Sequence, residues 1–263
     1  MSKFFTLASS SSGNSSFIFS NNCGILIDCG ISARACKNAL IANNHSLDDI
    51  KAIFITHEHI DHIKGLKVLL KYNNIPLYSS EKILSHLCKN DLIPSNANIN
   101  IFNDKQMVCD EMEVSPFQTN HDSVESYGFL ININNEKKAC VLTDNGHMNE
   151  QLEEKISGVD LLMIESNYDK AMLLTGEYPY YLKRRIQSDI GHMSNEQCAA
   201  AVKNAVLNFS KNIVLSHLSK ENNYPVLARQ ETLQTLHSQG LQENIDFTLS
   251  VAPANNPSET ILF

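Results

Sequence analysis

One short stretch constrains this chain more than any other: Phe54-Ile-Thr-His57-Glu-His59-Ile-Asp61-His62. The apolar, β-branched run Ala52–Thr56 predicts a buried strand. It breaks abruptly into three histidines and two carboxylates. Imidazole suits zinc, iron and manganese, and carboxylate adds charge and hardness. His57, His59, Asp61 and His62 can all coordinate metal from one tight turn. Asp61 and His62 are adjacent, so they can face a different ion from His57 and His59, and that geometry suggests two metals sharing one loop.

Three later segments repeat the placement. His121 lies just past the predicted strand Met112–Thr119, Asp144 just past Ala139–Thr143, and His217 just past Asn212–Ser216. Ligands at the ends of strands converge where the strands of one sheet finish at a common edge. Other short strands are expected at Lys3–Ala8, Ser16–Ser20, Gly24–Asp28, Pro76–Ser79, Ile99–Phe102, Gly128–Ile133 and Leu161–Glu165. Helical spacing marks Ser32–Ala42, Lys64–Tyr72, Ser80–Cys88, Glu150–Ile156, Asn195–Leu207 and Pro225–Gln239. Ser194 with Gln197 is a capping-box pattern. Strands that alternate with helices predict an α/β arrangement in layers. No Pro/Gly-rich linker divides the chain and no fixed-period repeat is visible, so residues 1–263 are expected to form a single domain.

Composition narrows the function classes. Of the 263 residues, 43 % are hydrophobic and 19 % charged, enough for a packed core and against global disorder. A net charge of −8 gives no long-range pull toward nucleic acid or anionic membrane, so a polyanionic substrate would need metal ions and a local basic patch. The seven cysteines are odd in number, scattered and form no CxxC pair, which reads as reduced thiols in a cytoplasmic protein. The first residues, MSKFFTLASSSSGN, are too short an apolar run for a signal peptide, and no stretch approaches the ~20 apolar residues of a membrane helix.

The order His-x-His-x-Asp-His, then a His, an Asp and a final His, resembles the five-motif pattern of the metallo-β-lactamase superfamily. Gly24-Ile-Leu-Ile-Asp28-Cys-Gly30 is similar to its strand-Asp-x-Gly motif, in which Asp28 would organise the metal loop. The resemblance implies a four-layer αββα sandwich. It implies that His57, His59 and His121 hold one divalent ion, that Asp61, His62 and His217 hold a second, and that Asp144 bridges them. Zinc or manganese, and also iron, suit this all-N/O set. Leu162-Met-Ile-Glu165, Gly191-His192-Met-Ser194 and Ser216-His217-Leu-Ser219 are similar to motifs of the tRNA 3′-processing endonucleases (RNase Z), which implies that His192, supported by Glu165, meets phosphate near the scissile bond. Whole-chain similarity is to the YycJ/WalJ group, carried by Leu7–Asn14, Glu165–Asp169, Gly176–Pro179, Leu182–Ile186 and Gly191–Asn195. Tyr168 and Asn145 depart from that group's usual histidine and threonine.

Group similarity implies a 5′-to-3′ exonuclease acting on DNA ends through a two-metal-bound hydroxide, with Asp61 orienting it and His192 serving as acid. A glyoxalase-II-like esterase or thioesterase of the same fold is the alternative. Asp144 and His217 are only 73 positions apart, which leaves no room for the large inserted domain of RNase J-type enzymes. Ser9–Ser16 is expected to be a hydroxyl-rich turn in which Ser12, Gly13 and Asn14 can contact phosphate. Tyr178, Tyr180 and Tyr181 interleave with Lys183, Arg184 and Arg185, a pattern suited to stacking on bases and contacting phosphate. Nothing in the sequence bears on oligomeric state.

Overall fold

The computed structural model describes all 263 residues, Met1–Phe263. The chain divides into two compact units. Unit 1 takes Met1–Phe117, Ser123–Glu136 and Pro253–Phe263; unit 2 takes Gln118–Asp122 and Lys137–Ala252.

Unit 1 opens with β1 (Lys3–Ser10), β2 (Gly13–Ser20) and β3 (Cys23–Ile27), followed by α1 (Ala33–Ala42) and β4 (Ile50–Phe54). Helices α2 (Ile60–Ile63) and α3 (Leu66–Tyr72), strand β5 (Leu77–Ser79), α4 (Glu81–Lys89) and β6 (Ile99–Ile101) continue it. Strands β7 (Gln106–Val108), β8 (Met112–Gln118) and β9 (Tyr127–Ile133) come next. Unit 2 holds β10 (Lys137–Leu142), α5 (Glu150–Ile156), β11 (Leu161–Glu165), α6 (Lys170–Thr175), α7 (Tyr180–Ile186), α8 (Asn195–Leu207), β12 (Asn212–Ser216), α9 (Pro225–His237) and β13 (Thr248–Val251). The last strand, β14 (Ile261–Leu262), belongs to unit 1.

The main sheet of unit 1 runs β14-β1-β2-β3-β4-β5-β6. It is antiparallel across β14, β1, β2 and β3 and parallel from β3 to β6. The fully buried β3 (CGILI) is a continuous apolar run and β4 (IKAIF) is apolar and buried but for Lys51, as parallel strands covered on both faces require. Phe5, Phe17, Leu26, Ile53 and Leu77 from this sheet pack with Leu40, Leu66, Ile83 and Leu87 from its helices in one buried cluster. In unit 2 the run β13-β12-β11-β10 is parallel throughout. α8 packs on both α5 and α9. No helix is long and apolar enough to cross a membrane, and all seven cysteines are free thiols.

Several expectations are corrected. The stretch Ser9–Ser16 is not an extended turn: β1 and β2 run through it, and only Ser11–Ser12 form a two-residue connection. The helix expected over Lys64–Tyr72 is α3, which begins two residues later, and a separate short helix, α2, precedes it. Gly65 sits between them because its backbone lies against Cys29–Ile31: its N–H donates to the Cys29 carbonyl at 2.8 Å, and a Cβ there would fall 1.9 Å from the Ile31 carbonyl oxygen. His192 precedes α8, which begins at Asn195, capped by Ser194 in the expected capping box. α2, α6, α7, β7, β13 and β14 were not anticipated, being short and weakly patterned.

Candidate metal centre

In unit 1 the residues around the metal loop are built outward from Asp28, which follows β3 directly. Its carboxylate is buried and accepts three bonds: Oδ1 from the Thr56 N–H (2.9 Å), and Oδ2 from the Thr56 hydroxyl (2.8 Å) and from His62 Nδ1 (2.7 Å). Because the Thr56 hydroxyl donates to Asp28, its oxygen can accept from His57 Nδ1, 3.0 Å away. One buried carboxylate therefore sets the tautomers of two histidines, presenting Nε2 of each as the ligating nitrogen. The His57 ring lies 4.6 Å from the His59 ring and 4.1 Å from the His62 ring. Asp61 Oδ2 is 3.5 Å from His62 Nε2.

Asn14 completes this part. Its Nδ2 lies 2.9 Å from the Ser10 carbonyl, 3.2 Å from Asp61 Oδ2 and 3.1 Å from His62 Nε2, and its Oδ1 accepts from the Ser10 N–H. Gly13 and Asn14 are buried, and Ser12 is exposed at the hairpin tip. Of the three residues expected to meet substrate here, Asn14 is hydrogen-bonded to the metal loop.

In unit 2, Glu165 is the counterpart of Asp28. It ends β11 and is wholly buried. Its Oε1 accepts from His192 Nδ1 and from His217 Nδ1, each at 2.7 Å; its Oε2 accepts from the Met193 N–H (3.0 Å) and the Asn145 N–H (3.3 Å). Burial pushes this carboxyl up, but the two histidines outweigh it and hold Glu165 down at about 2. Burial likewise opposes a charged His192, yet Glu165 and Asp144 raise it above the usual histidine value. His121 Nδ1 lies 3.1 Å from the Gly191 carbonyl oxygen, so its tautomer is set as well. Ligand-type atoms of Asp144, Glu165, His192 and His217 all lie within 4.8 Å of one another. With four donors already on its oxygens, Glu165 acts as an organiser of this group.

Backbone conformation aims several of these side chains. Asp28, Asp144 and His217 have φ of 61°, 51° and 55°, in the left-handed region. Each comes within two residues of a strand's end. Such a conformation costs roughly 1–2 kcal/mol in an ordinary residue, is least unfavourable for Asn, Asp and His, and gathers at functional sites. Asn167 supports His217 by donating to its carbonyl at 2.8 Å, and the Asn145 side chain accepts from the Asn120 N–H at 3.0 Å, tying the Asp144 turn to the His121 segment. Thr56, Asn145 and Asn167 are positioning residues that sequence reasoning missed; a single polar residue beside a ligand carries no pattern of its own.

The residues fit divalent metal. Donors on one ion at about 2.0–2.2 Å must lie within roughly 4 Å of each other, as Asp61 Oδ2 and His62 Nε2 do. His57, His62, His121 and His217 all have Nδ1 engaged by a hydroxyl, carboxylate or carbonyl, the outer-shell pattern of metal-ligating histidine.

Comparison with known proteins agrees. A family model described as beta-lactamase superfamily domain matches residues 24–218. Exodeoxyribonuclease YycJ of Bacillus anthracis is 35 % identical over 240 residues, 90 % of each chain. The chain belongs to the β-lactamase superfamily, in the YycJ/WalJ group. Exodeoxyribonuclease WalJ of Streptococcus pneumoniae is 34 % identical over 250 residues, covering 93 % of this chain and 92 % of the relative. Among solved structures, the metallo-β-lactamase fold protein YhfI from Bacillus subtilis superposes with a TM-score of 0.71 at 14 % identity, covering 98 % of both chains. That likeness carries the fold alone, and the αββα class expected from sequence is borne out. A metallo-hydrolase is what this superfamily membership makes of the chain.

The basic residues of α7 divide. Arg185 makes a two-pronged pair with Asp122, Nε to Oδ2 and Nη2 to Oδ1, the latter at 3.0 Å. The Arg184 guanidinium lies over the Tyr180 ring, 5.9 Å from its centroid.

Proposed function

We propose that this enzyme is a metal-dependent phosphodiesterase that degrades DNA from an end in the 5′-to-3′ direction, working in the cytoplasm. The observation that carries the reading is the His192–Glu165 pair, 2.7 Å apart, in which a buried carboxylate favours the charged imidazolium. A cation held this way suits the charge that develops on phosphate during cleavage. The names of the YycJ and WalJ relatives support DNA as the polymer.

In this reading His57, His59, Asp61, His62, His121, Asp144 and His217 hold two divalent ions, with Asp144 shared. Bound there, zinc or manganese would supply Lewis acidity toward the phosphate and lower the pKa of water at the site. Asp61, braced by Asn14, orients the attacking water and takes its proton. His192 Nδ1 keeps its proton against Glu165, and the ring's other N–H protonates the leaving oxygen. Ser12 at the hairpin tip and Arg184 on α7 reach the substrate's phosphates. Arg185 sets the position of α7 through Asp122.

Protein loaded separately with zinc and with manganese should progressively shorten 3′-labelled linear duplex and leave a closed circle intact. Equal cutting of circle and line would make it an endonuclease. Strong thioester turnover without DNA cleavage would favour the metabolite esterase instead.

A further inference from the structure

We propose that α7 is a stacking platform for an unpaired nucleic-acid end, an inference that rests on the nuclease reading and names the part of the substrate this surface takes. The helix is unusual in having no buried residue at all. Helices in proteins are stabilised mostly by an apolar face packed on a core, yet here Leu182 and Ile186 are only half-buried, and Tyr180 and Tyr181 are 75 % and 74 % exposed.

Polar ties hold the helix instead. Lys183 Nζ donates to the Leu174 and Gly176 carbonyls at 2.8 and 2.7 Å. Arg185 is paired with Asp122, and the Ile186 carbonyl accepts from the His192 N–H at 2.9 Å. The helix end is pressed against Gly191, where a Cβ would fall 2.3 Å from the carbonyl oxygens of Arg185 and Ile186. Two of these ties reach the neighbourhood of His121 and His192, through Asp122 and Gly191, the Lys183 ties reach the end of α6, and Tyr180 and Tyr181 are left open.

Spacing gives that face its chemistry. Tyr180 and Arg184 are an i,i+4 pair on one stripe of the helix, with the guanidinium over the ring. Tyr181 stands on the adjacent stripe, which ends at the Arg185–Asp122 pair. Lys183 and Arg185 are occupied by protein acceptors, so Arg184 is the cation presented to a ligand. The segment from residue 170 to 192 carries four cations (Lys170, Lys183, Arg184, Arg185) against two carboxylates (Glu177, Asp189), in a chain of net charge −8. Exposed rings beside a cation, in a locally basic stretch of an acidic protein, match bases and phosphate together. Paired bases already stack on one another, so these rings select unpaired nucleotides.

The test uses the purified full chain and phosphorothioate-linked DNA, which resists cleavage. Anisotropy should show tighter binding to a single strand of about 12 nucleotides, or to a duplex with an unpaired 5′ tail, than to a blunt duplex. Replacing both rings, Tyr180→Ala with Tyr181→Ala, should weaken single-strand binding by roughly 5- to 100-fold per stacked base, while Phe at both positions restores it. Arg184→Gln should lower the slope of log affinity against log salt by about 0.7. A melting curve verifies that each variant is folded. The proposal is overturned if the wild type binds no single strand, if it binds blunt duplex equally well, or if the Ala pair binds as the wild type does. It is also overturned if the Ala pair alters the mass in solution but not the affinity, since the face would then join two copies of the chain. Absence of DNA cleavage by the wild type would remove the nuclease reading, and the binding result would still decide the platform.

Discussion

Two histidines share one oxygen of Glu165, and the roles proposed for them differ: His217 as a ligand, His192 as a proton donor. His192→Ala should keep both metals by elemental analysis and lower turnover of linear DNA on the order of 10²- to 10⁴-fold, the range for a lost general acid. Asp144→Ala should instead lose metal, because it removes the ligand assigned to both ions. If His192→Ala emptied a metal site, His192 would be a ligand and the assignment of roles would be reversed. The histidines and aspartates of this centre are readable in the chain because they follow predicted strands: His57 opens the loop after one, and His121, Asp144 and His217 lie just past three others. Their bracing is not readable. That Asn14 reaches Asp61 across 47 positions of sequence, or that Asp28 and Asp144 adopt left-handed backbone, depends on where the chain returns in space.

At the scale of elements, the metal loop is held by tight backbone contacts to the β1–β2 hairpin and the segment after β3. Gly30 sits in this contact: its N–H donates to the Asn14 carbonyl at 2.8 Å, and a Cβ would lie 1.7 Å from the Asp61 carbonyl oxygen and 2.5 Å from the Asn14 nitrogen. Backbone atoms cannot yield as a flexible side chain would. Gly30→Ala should therefore cost about 1–3 kcal/mol, the range for overpacking. In a thermal melt that is about 2–4 °C per kcal/mol, and metal affinity should fall with it because Asp61 moves. A melting temperature and metal titration equal to wild type would show that the loop is slack. Elements with a buried stripe were legible from sequence, among them α8 and β11, whose bounds match the expectation residue for residue. Elements held by polar ties, α7 above all, leave no such stripe. The short helix α2 was not legible either, because a single turn carries no repeat; Gly65, which separates it from α3, is constrained by Cys29 and Ile31.

For the whole molecule, the ligands assigned above predict about two ions per chain in metal-reconstituted protein. Chelation should lower the melting temperature, since an ion that binds only the folded state stabilises it by mass action. A content near zero after reconstitution would remove the hydrolytic reading. The order in which the chain is laid down adds a further consequence. Unit 1 is assembled from three separate segments, and its last strand, β14, pairs with its first: Lys3 opposite Leu262 and Phe4 opposite Ile261. During synthesis β1 must wait with one edge unpaired while all of unit 2 is translated. A growing chain on the ribosome thus carries an open strand edge through most of its production, the kind of edge that invites mispairing with other chains.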